Sequence, residues 1–483
     1  MSTPSSALNA ARRRTDLAFA ADERADVLVI GGGITGAGLA LDAASRGLTV
    51  TLIEAEDLAF GTSRFSSKLV HGGLRYLATG DVATAKESAL ERHLLMTTIA
   101  PHLIRPLGQL LPFSRDVTLR QRMAGAVGMG LGDLLRMRAH TPREVLPAPH
   151  IVSAQAAARL APALDSRGLR GGMLSYDGQL IDDARLVTTV VRTAAARGAR
   201  ILTRVRATML RDDGASAEDV LTGERFEIAA RSVINATGVW AGSLDEAIRV
   251  RPSRGTHIVL DAADLGSPMT ALTIPHEGSI SRYVFALPQP HGRIIVGLTD
   301  EDAPGTVPRV AQPTAPEIDF LLRSLNRVLT TPIRRDQVRG AFAGLRPLVD
   351  SGTDATADVS RRHLVAVSDA GFVTVLGGKL TTYRRMAEDA VDLASEVRGL
   401  QAAPSRTATL RLVDRDVPTA SEVLDDTTGL TRAEVEFAVR VEGALTAEDV
   451  VDRRTRVGLV DADRDRCLPV VEPVVARTLA DVG

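Results

Sequence analysis

Three glycines spaced Gly31-x-Gly33-x-x-Gly36 follow an apolar run at 26–30 and lead into a helical pattern over 34–46. That spacing suits one task, which is holding a diphosphate. Gly31 permits the tight turn, Gly33 lets a pyrophosphate approach the backbone, and Gly36 lets the helix pack on the strand. The N–H groups at the helix start then face the anion. A second strand pattern, 49–54, ends on Glu54. Its carboxylate accepts hydrogen bonds from both hydroxyls of an adenosine ribose and repels a 2′-phosphate. Strand, glycine turn, helix and acid in this order predict a dinucleotide site, which a glycine-rich turn alone would not.

The next residues narrow the choice of dinucleotide. An NAD-binding unit would continue into further βα repeats. Here residues 61–73, GTSRFSSKLVHGG, are small polar residues and glycines, which suits a cofactor lying extended across the backbone, as FAD does. Thr62, Ser63, Ser67, Lys68, His71 and Gly72 are the candidate contacts. Two more segments return to such a site. A strand at 231–235 runs into Asn-Ala-Thr-Gly238, and a strand at 372–375 precedes Gly377-Gly378-Lys379-Leu-Thr381, which opens a helix. A second helix N-terminus therefore faces the cofactor.

Lysine usage carries information of its own. The chain has 55 arginines and three lysines, Lys68, Lys86 and Lys379. Lys68 and Lys379 fall in the glycine-rich segments, where a compact ammonium is expected in place of a planar fork. Lys86 sits in a polar helical pattern and reads as a solvated charge. Among nine histidines, His71 in Val-His-Gly-Gly and His257 in Gly-Thr-His-Ile occupy cofactor-type or substrate-type segments. Either imidazole suits a proton acceptor, and a strand histidine between apolar neighbours is also an ordinary core residue.

The bulk properties bound the rest. A chain of 483 residues predicts two or three domains, and 45% hydrophobic residues is the content of a soluble globular protein. A net charge of −1 argues against a general nucleic-acid binder. One cysteine, Cys467, rules out an internal disulfide or a cysteine metal cluster and fits a reducing, cytoplasmic compartment. The N-terminus has an arginine cluster without an apolar region after it, so no secretory signal is read and residues 1–23 are expected to be a disordered extension. No stretch of 18 uncharged apolar residues predicts a membrane span. Residues 119–140 mix apolar residues with four arginines. They read as an amphipathic helix packed on its own domain, with an interfacial helix peripheral to the inner face of the cell membrane as the alternative.

SSKLVHGGLRYL at 66–77 resembles the signature of the FAD-dependent glycerol-3-phosphate dehydrogenases. RGTHIVL at 254–260, AGLRPL at 343–348 and GGKLTTYRRMAE at 377–388 resemble the same family, in the same order. The resemblance covers about residues 24–400 and weakens beyond, where the C-terminal domain is abbreviated between Leu410 and Leu430. It implies a non-covalently held FAD, the oxidation of sn-glycerol 3-phosphate to dihydroxyacetone phosphate, and electrons passed to a quinone or another acceptor. It implies that Arg346, Arg75 and Arg361 read the phosphate, with Tyr76 donating its phenol, and that the backbone at Gly238 touches FAD.

For such a reaction the hydroxyl proton needs a base, which is assigned to His257, while His71 positions the flavin. Lys379, beside Gly378 and Thr381, stabilises the negative charge of the reduced flavin or reaches the substrate, the alternative being a lysine that caps its turn. The expected architecture is α/β: a discontinuous Rossmann-like FAD domain of glutathione-reductase/DAO type (24–100, 180–245 and 341–404), a sheet-based substrate domain with an insertion (246–340 and 101–179), and a short helical domain (405–483). Residues 175–178 read as a turn within the insertion. The other readings are a flavoenzyme for another small hydroxy acid or amine and a non-catalytic flavin-binding protein. A homodimer is compatible with the sequence.

Overall fold

The computed structural model describes residues 5–73, 80–115, 117–279, 282–349 and 363–482. Its first sheet is built on the apolar strand Ala25–Ile30, whose two faces are both buried. Val27 and Val29 pack into one core, Leu28 and Ile30 into another, as expected for a central parallel strand. The strand order is His363–Val367, Val373–Gly377, Arg225–Asn235, Ala25–Ile30, Val50–Glu54, Arg200–Thr203. All neighbours are parallel except the first pair. Helices Ile34–Ser45, Asp183–Ala195 and Tyr383–Arg398 cover one face.

A hairpin, Val205–Arg211 with Gly214–Asp219, covers part of the other face, together with helix Ala10–Asp22. Over residues 10–22 that helix corrects the expectation of a disordered extension over 1–23. Asn9 caps it by accepting from Arg12 N, and Ala20 is buried. Arg13 donates from Nε to Thr203 O at 2.8 Å and pairs with Asp219 at 2.7 Å. Part of the arginine cluster is thus used inside the fold and not in solvent.

Among the described residues the second sheet has ten strands, the longest run being Glu301–Asp302, Val250–Asp261, Arg293–Gly297, Tyr283–Gln289, Ala271–Pro275, Ile104–Pro112, Gly172–Leu180 and Leu69–Val70. Its core includes Leu110, Leu174, Ile258, Leu260, Ile274 and Val296, backed by helix Ala315–Asn326. Two expectations are corrected here. Residues 175–178 lie within strand Gly172–Leu180, which pairs along its length with Ile104–Pro112; the ladder outweighs the local Asp-Gly turn signal. Gly340–Val349, assigned from sequence to the FAD domain, pairs residue for residue with Val250–Asp261 and belongs to the second sheet.

Helix Leu119–Arg138 opens with a capping box between Thr118 and Gln121. It buries Gly125 and Leu135 and turns an apolar stripe outward: Leu119 is 71% exposed, Met123 62% and Val127 63%, with Leu131 and Leu134 completing the row. No helix among the described residues is long and apolar enough to cross a membrane.

The C-terminal module packs helices Arg432–Arg440 and Asp461–Val482 over Val435, Val439, Val450, Cys467 and Val471. Thr431 and Thr446 start helices through capping boxes with Glu434 and Asp449, as their spacing predicts. Arg453 and Arg454 reach out of this module to Asp57, just past the second strand of the first sheet. Burial alone would raise the Asp57 carboxyl; the two guanidinium groups hold it well below its ordinary range.

Candidate active site

The glycine turn adopts the geometry its spacing requires. Gly31 has φ 110°, and a Cβ at Gly36 would lie 1.8 Å from Gly31 O, so the helix sits hard against the turn. Ser63 Oγ accepts from Ile34 N at 2.9 Å, bringing the 62–64 turn over the helix start. Glu54 accepts from Gly32 N at 2.5 Å and Glu56 N at 2.8 Å. Burial pushes its carboxyl up, and the two N–H donors counter this.

One cavity of about 870 Å³ begins here. Gly31, Gly33, Glu54, Thr62, Ser63, Ser67, His71, Gly238, Gly378, Lys379 and Thr381 line it, together with His257, Arg346 and Asp300. Gly238 and Gly378 have φ of 60° and 68°, backbone states that favour glycine. The cavity thus joins a diphosphate-type helix terminus and a ribose-type acid to the second helix start at Lys379. An extended dinucleotide such as FAD fits this arrangement. Lys379 Nζ donates to Ser88 Oγ at 2.9 Å.

Part of the cavity wall is a two-stranded ladder. In strand Val250–Asp261 the alternation puts Ser253, Gly255 and His257 on one face. Their antiparallel partners in Gly340–Val349 are Arg346, Gly344 and Phe342. The Phe342 ring stacks on the His257 imidazole, with centroids 4.8 Å apart and planes 14° from parallel. At Gly255 a Cβ would lie 2.3 Å from Arg346 Nη2, so glycine there lets the guanidinium lie across the strand. Arg346 Nη1 donates to Ser253 Oγ at 3.0 Å and Asp300 Oδ1 at 2.8 Å, and Nη2 donates to Thr299 O at 3.1 Å.

His257 Nε2 is 2.9 Å from Ser67 Oγ. Burial, then the charges of Lys68 and Arg346, push its basicity down to about 3. A Cβ on Gly297 would strike its ring at 2.1 Å, so the imidazole is held between Gly297 and Phe342.

Two expected cofactor contacts lie elsewhere. Lys68, 1% exposed and with φ 57°, does not line the cavity; its ammonium binds Asp183 and Arg64 O. The left-handed backbone turns the side chain inward, toward an acid at the start of helix Asp183–Ala195. Gly72 likewise stands behind the cavity wall: its N–H donates to Asp177 at 3.1 Å, and a Cβ there would meet Arg92 Nη1 at 2.5 Å. Arg75, Tyr76 and Arg361 lie outside the described residues.

Sequence reasoning passed over Asp177, Asp183, Asp300, Ser88, Ser253 and Phe342. Ser253 and Phe342 had a signal in the strand alternation around Gly255 and Gly344. Asp183 opens helix Asp183–Ala195, where an acid is ordinary and gives no sign of a lysine partner. Asp300 and Ser88 had no local signal, because their partners are distant in sequence.

The family model described as FAD dependent oxidoreductase matches residues 26–384, and that described as the C-terminal domain of alpha-glycerophosphate oxidase matches residues 401–481. Glycerol-3-phosphate dehydrogenase 1 of Mycobacterium tuberculosis is 49% identical, over 98% of this chain and 99% of that protein. The structure of glycerol-3-phosphate dehydrogenase from Bacillus halodurans complexed with FAD is similar with TM-score 0.72 and 25% identity, over 98% of this chain and 96% of that one. L-alpha-glycerophosphate oxidase from Mycoplasma pneumoniae, solved with FAD bound, shares the fold at TM-score 0.61 and 19% identity, over 81% of this chain and all of that one. With a family model spanning most of its length and a relative of this identity along nearly all of it, the chain belongs to the FAD dependent oxidoreductase family.

Proposed function

We propose that this chain oxidises sn-glycerol 3-phosphate to dihydroxyacetone phosphate and passes the electrons to a quinone. The observation that carries the reading is the ladder that sets the Arg346 guanidinium and the His257 imidazole on one face of the cavity that also holds the glycine turn. Bound FAD supplies the hydride acceptor for the substrate's C2–H. The relatives' names supply the substrate.

The chain's residues bind, orient and move the proton. Arg346 reads the phosphate, with Arg75 and Arg361 adding positive charge and Tyr76 a phenol. Gly31, Gly33 and Glu54 hold the adenosine and diphosphate, Gly36 lets the helix sit hard against that turn, and Gly238, Gly378 and Thr381 bring backbone close to the flavin. Lys379 places an ammonium where reduction adds negative charge. His257 is neutral at working pH and weakly basic, which suits a hydrogen-bond partner of the substrate hydroxyl oriented by Ser67. The proton then goes to His71, which with His276 is one of two further histidines on the cavity wall, a role that replaces the flavin positioning expected of it from the sequence.

The quinone reading draws on helix Leu119–Arg138. Its inner residues Ala124, Gly125, Gly128 and Met129 line the cavity, and its outer stripe is apolar between exposed Arg120 and Arg138. A helix of that kind lies in a membrane interface with its arginines toward the headgroups, and gives a lipid-soluble acceptor a short route to the cavity. The test is anaerobic bleaching of bound flavin by glycerol 3-phosphate, then reoxidation by a quinone or by air. Bleaching with glycerol 3-phosphate and rapid reoxidation by quinone are expected. A flavin that stays oxidised overturns the substrate, and faster reoxidation by air overturns the acceptor.

A further inference from the structure

We propose that Asp300 is a positioning residue that sets the plane of the Arg346 fork and so controls the affinity of the cavity for phosphate. The proposal rests on the reading of Arg346 as the phosphate ligand. An arginine on a flexible stem loses side-chain freedom when it captures an anion, and that loss subtracts from affinity unless the fork is already ordered. Here three groups from two elements order it. Ser253 contributes a hydroxyl from strand Val250–Asp261, and Thr299 and Asp300 follow strand Arg293–Gly297. Asp300 supplies the only charged partner of the three, and a charge-assisted bond is the stronger kind.

A carboxylate beside a phosphate site would ordinarily repel the ligand. In this geometry Asp300 Oδ1 takes both Arg346 Nη1, at 2.8 Å, and the Ser253 hydroxyl, at 2.6 Å. Its charge is directed at the guanidinium, and the Asp300 side chain keeps 13% of its surface exposed. Gly255 completes the device: any side chain there would displace the fork that Asp300 holds flat. Asp300 thus does for Arg346 what Ser67 does for His257, fixing the orientation of a group that faces the cavity.

The FAD-loaded enzyme provides the test. Inorganic phosphate is titrated against the bound flavin's absorbance, and KM and kcat for glycerol 3-phosphate are measured alongside. Asp300→Ala is expected to weaken phosphate binding about tenfold and raise KM by a similar factor, with kcat within about threefold. Asp300→Asn keeps an oxygen acceptor for both donors and is expected to stay within about threefold of the unaltered protein on both measures. Asp300→Ala/Arg346→Ala is expected to be no weaker than Arg346→Ala alone, since Asp300 acts through that fork. Unchanged phosphate binding in Asp300→Ala, or additive losses in the double variant, overturns the proposal. If Asp300→Ala fails to retain FAD, Ser253→Ala removes another clip on the same fork and is expected to weaken phosphate binding about threefold; no weakening there also overturns it. Failure of glycerol 3-phosphate to bleach the unaltered protein counts against the substrate alone, because phosphate binding is read without turnover.

Discussion

Lys68 turns its ammonium onto Asp183, at 2.7 and 2.8 Å from the two carboxylate oxygens, and gives its third hydrogen to Arg64 O at 2.5 Å. Three donors meet three acceptors in a site closed to solvent. Ser66 adds two bonds to the same carboxylate through its backbone N and hydroxyl. Lys68 so close to Asp183 holds the carboxyl below its ordinary range although burial opposes this. The knot fixes residues 64–68 and hands Ser67 to His257. A chain that otherwise uses arginine keeps a lysine here because a point charge fits between three oxygens and a planar fork does not.

Removing one partner of such a pair leaves a buried charge without compensation, which costs about 3–5 kcal/mol. Lys68→Met should therefore melt well below the unaltered protein in a thermal scan of the FAD-loaded enzyme. Lys68→Arg should recover little, and Lys68→Met/Asp183→Asn should recover part of the loss. A Lys68→Met variant that melts normally would show that the knot contributes nothing to stability.

His257 gives a prediction about acid. Its basicity in the fold, near 3, lies below the ordinary histidine value of about 6.5 in the unfolded chain. Between these values the unfolded state holds the proton and the native state does not, so stability rises with pH there. The contribution is complete above about 6.5 and is lost as pH falls toward 3, with a slope approaching about 1.4 kcal/mol per pH unit. His257→Gln removes the titrating group. Its melting temperature should fall less steeply than that of the unaltered protein between pH 6.5 and 4. Parallel curves for the two proteins would mean that His257 is not buried in its neutral form.

The glycine turn and Glu54 were legible because their chemistry is local: a strand, a turn and a helix within some 30 residues. GGKLT was legible for the same reason. RGTHIVL and AGLRPL were legible as segments, but their antiparallel register, which brings Phe342 onto His257 and Arg346 onto Ser253, is set by two strands about 90 residues apart. Lys68 was misplaced because its direction follows from a left-handed backbone and from Asp183, far along the chain. The N-terminal helix escaped notice because it is stabilised by Asp219 and Thr203 and not by its own apolar pattern.

The outward stripe of helix Leu119–Arg138 leads to a surface prediction. Val127→Glu and Met123→Glu place charge on side chains already in solvent, so stability and flavin content should hold. Binding to vesicles rich in anionic lipid, followed by co-sedimentation, should drop severalfold, because interfacial binding scales with the buried apolar area. Turnover with a water-soluble acceptor should be unaffected while turnover with a long-chain quinone in vesicles falls. Unaltered vesicle binding in the double variant would remove the main support for a membrane-side acceptor.

Lys379 tests the flavin end. It sits just before the turn Leu380–Thr382 that opens helix Tyr383–Arg398, its carbonyl accepts from Thr382 N at 3.1 Å, and its ammonium donates to Ser88 Oγ on helix Val82–Leu94. The ammonium is thus held from a second element while it lines the cavity. Lys379→Met should keep FAD, because the glycine turn and Glu54 are intact, yet slow flavin reduction by glycerol 3-phosphate about 10²-fold or more, the usual effect of deleting one preorganised charge. Lys379→Arg should rescue poorly, since the longer fork cannot occupy the position that Ser88 fixes. Ser88→Ala should fall between, slowing reduction by a few-fold and leaving the charge in place. Stopped-flow bleaching under anaerobic conditions separates these outcomes from substrate binding. Full reduction rates in both Lys379 variants would make the residue a cap for its turn and leave the reduced flavin's charge to the helix terminus alone.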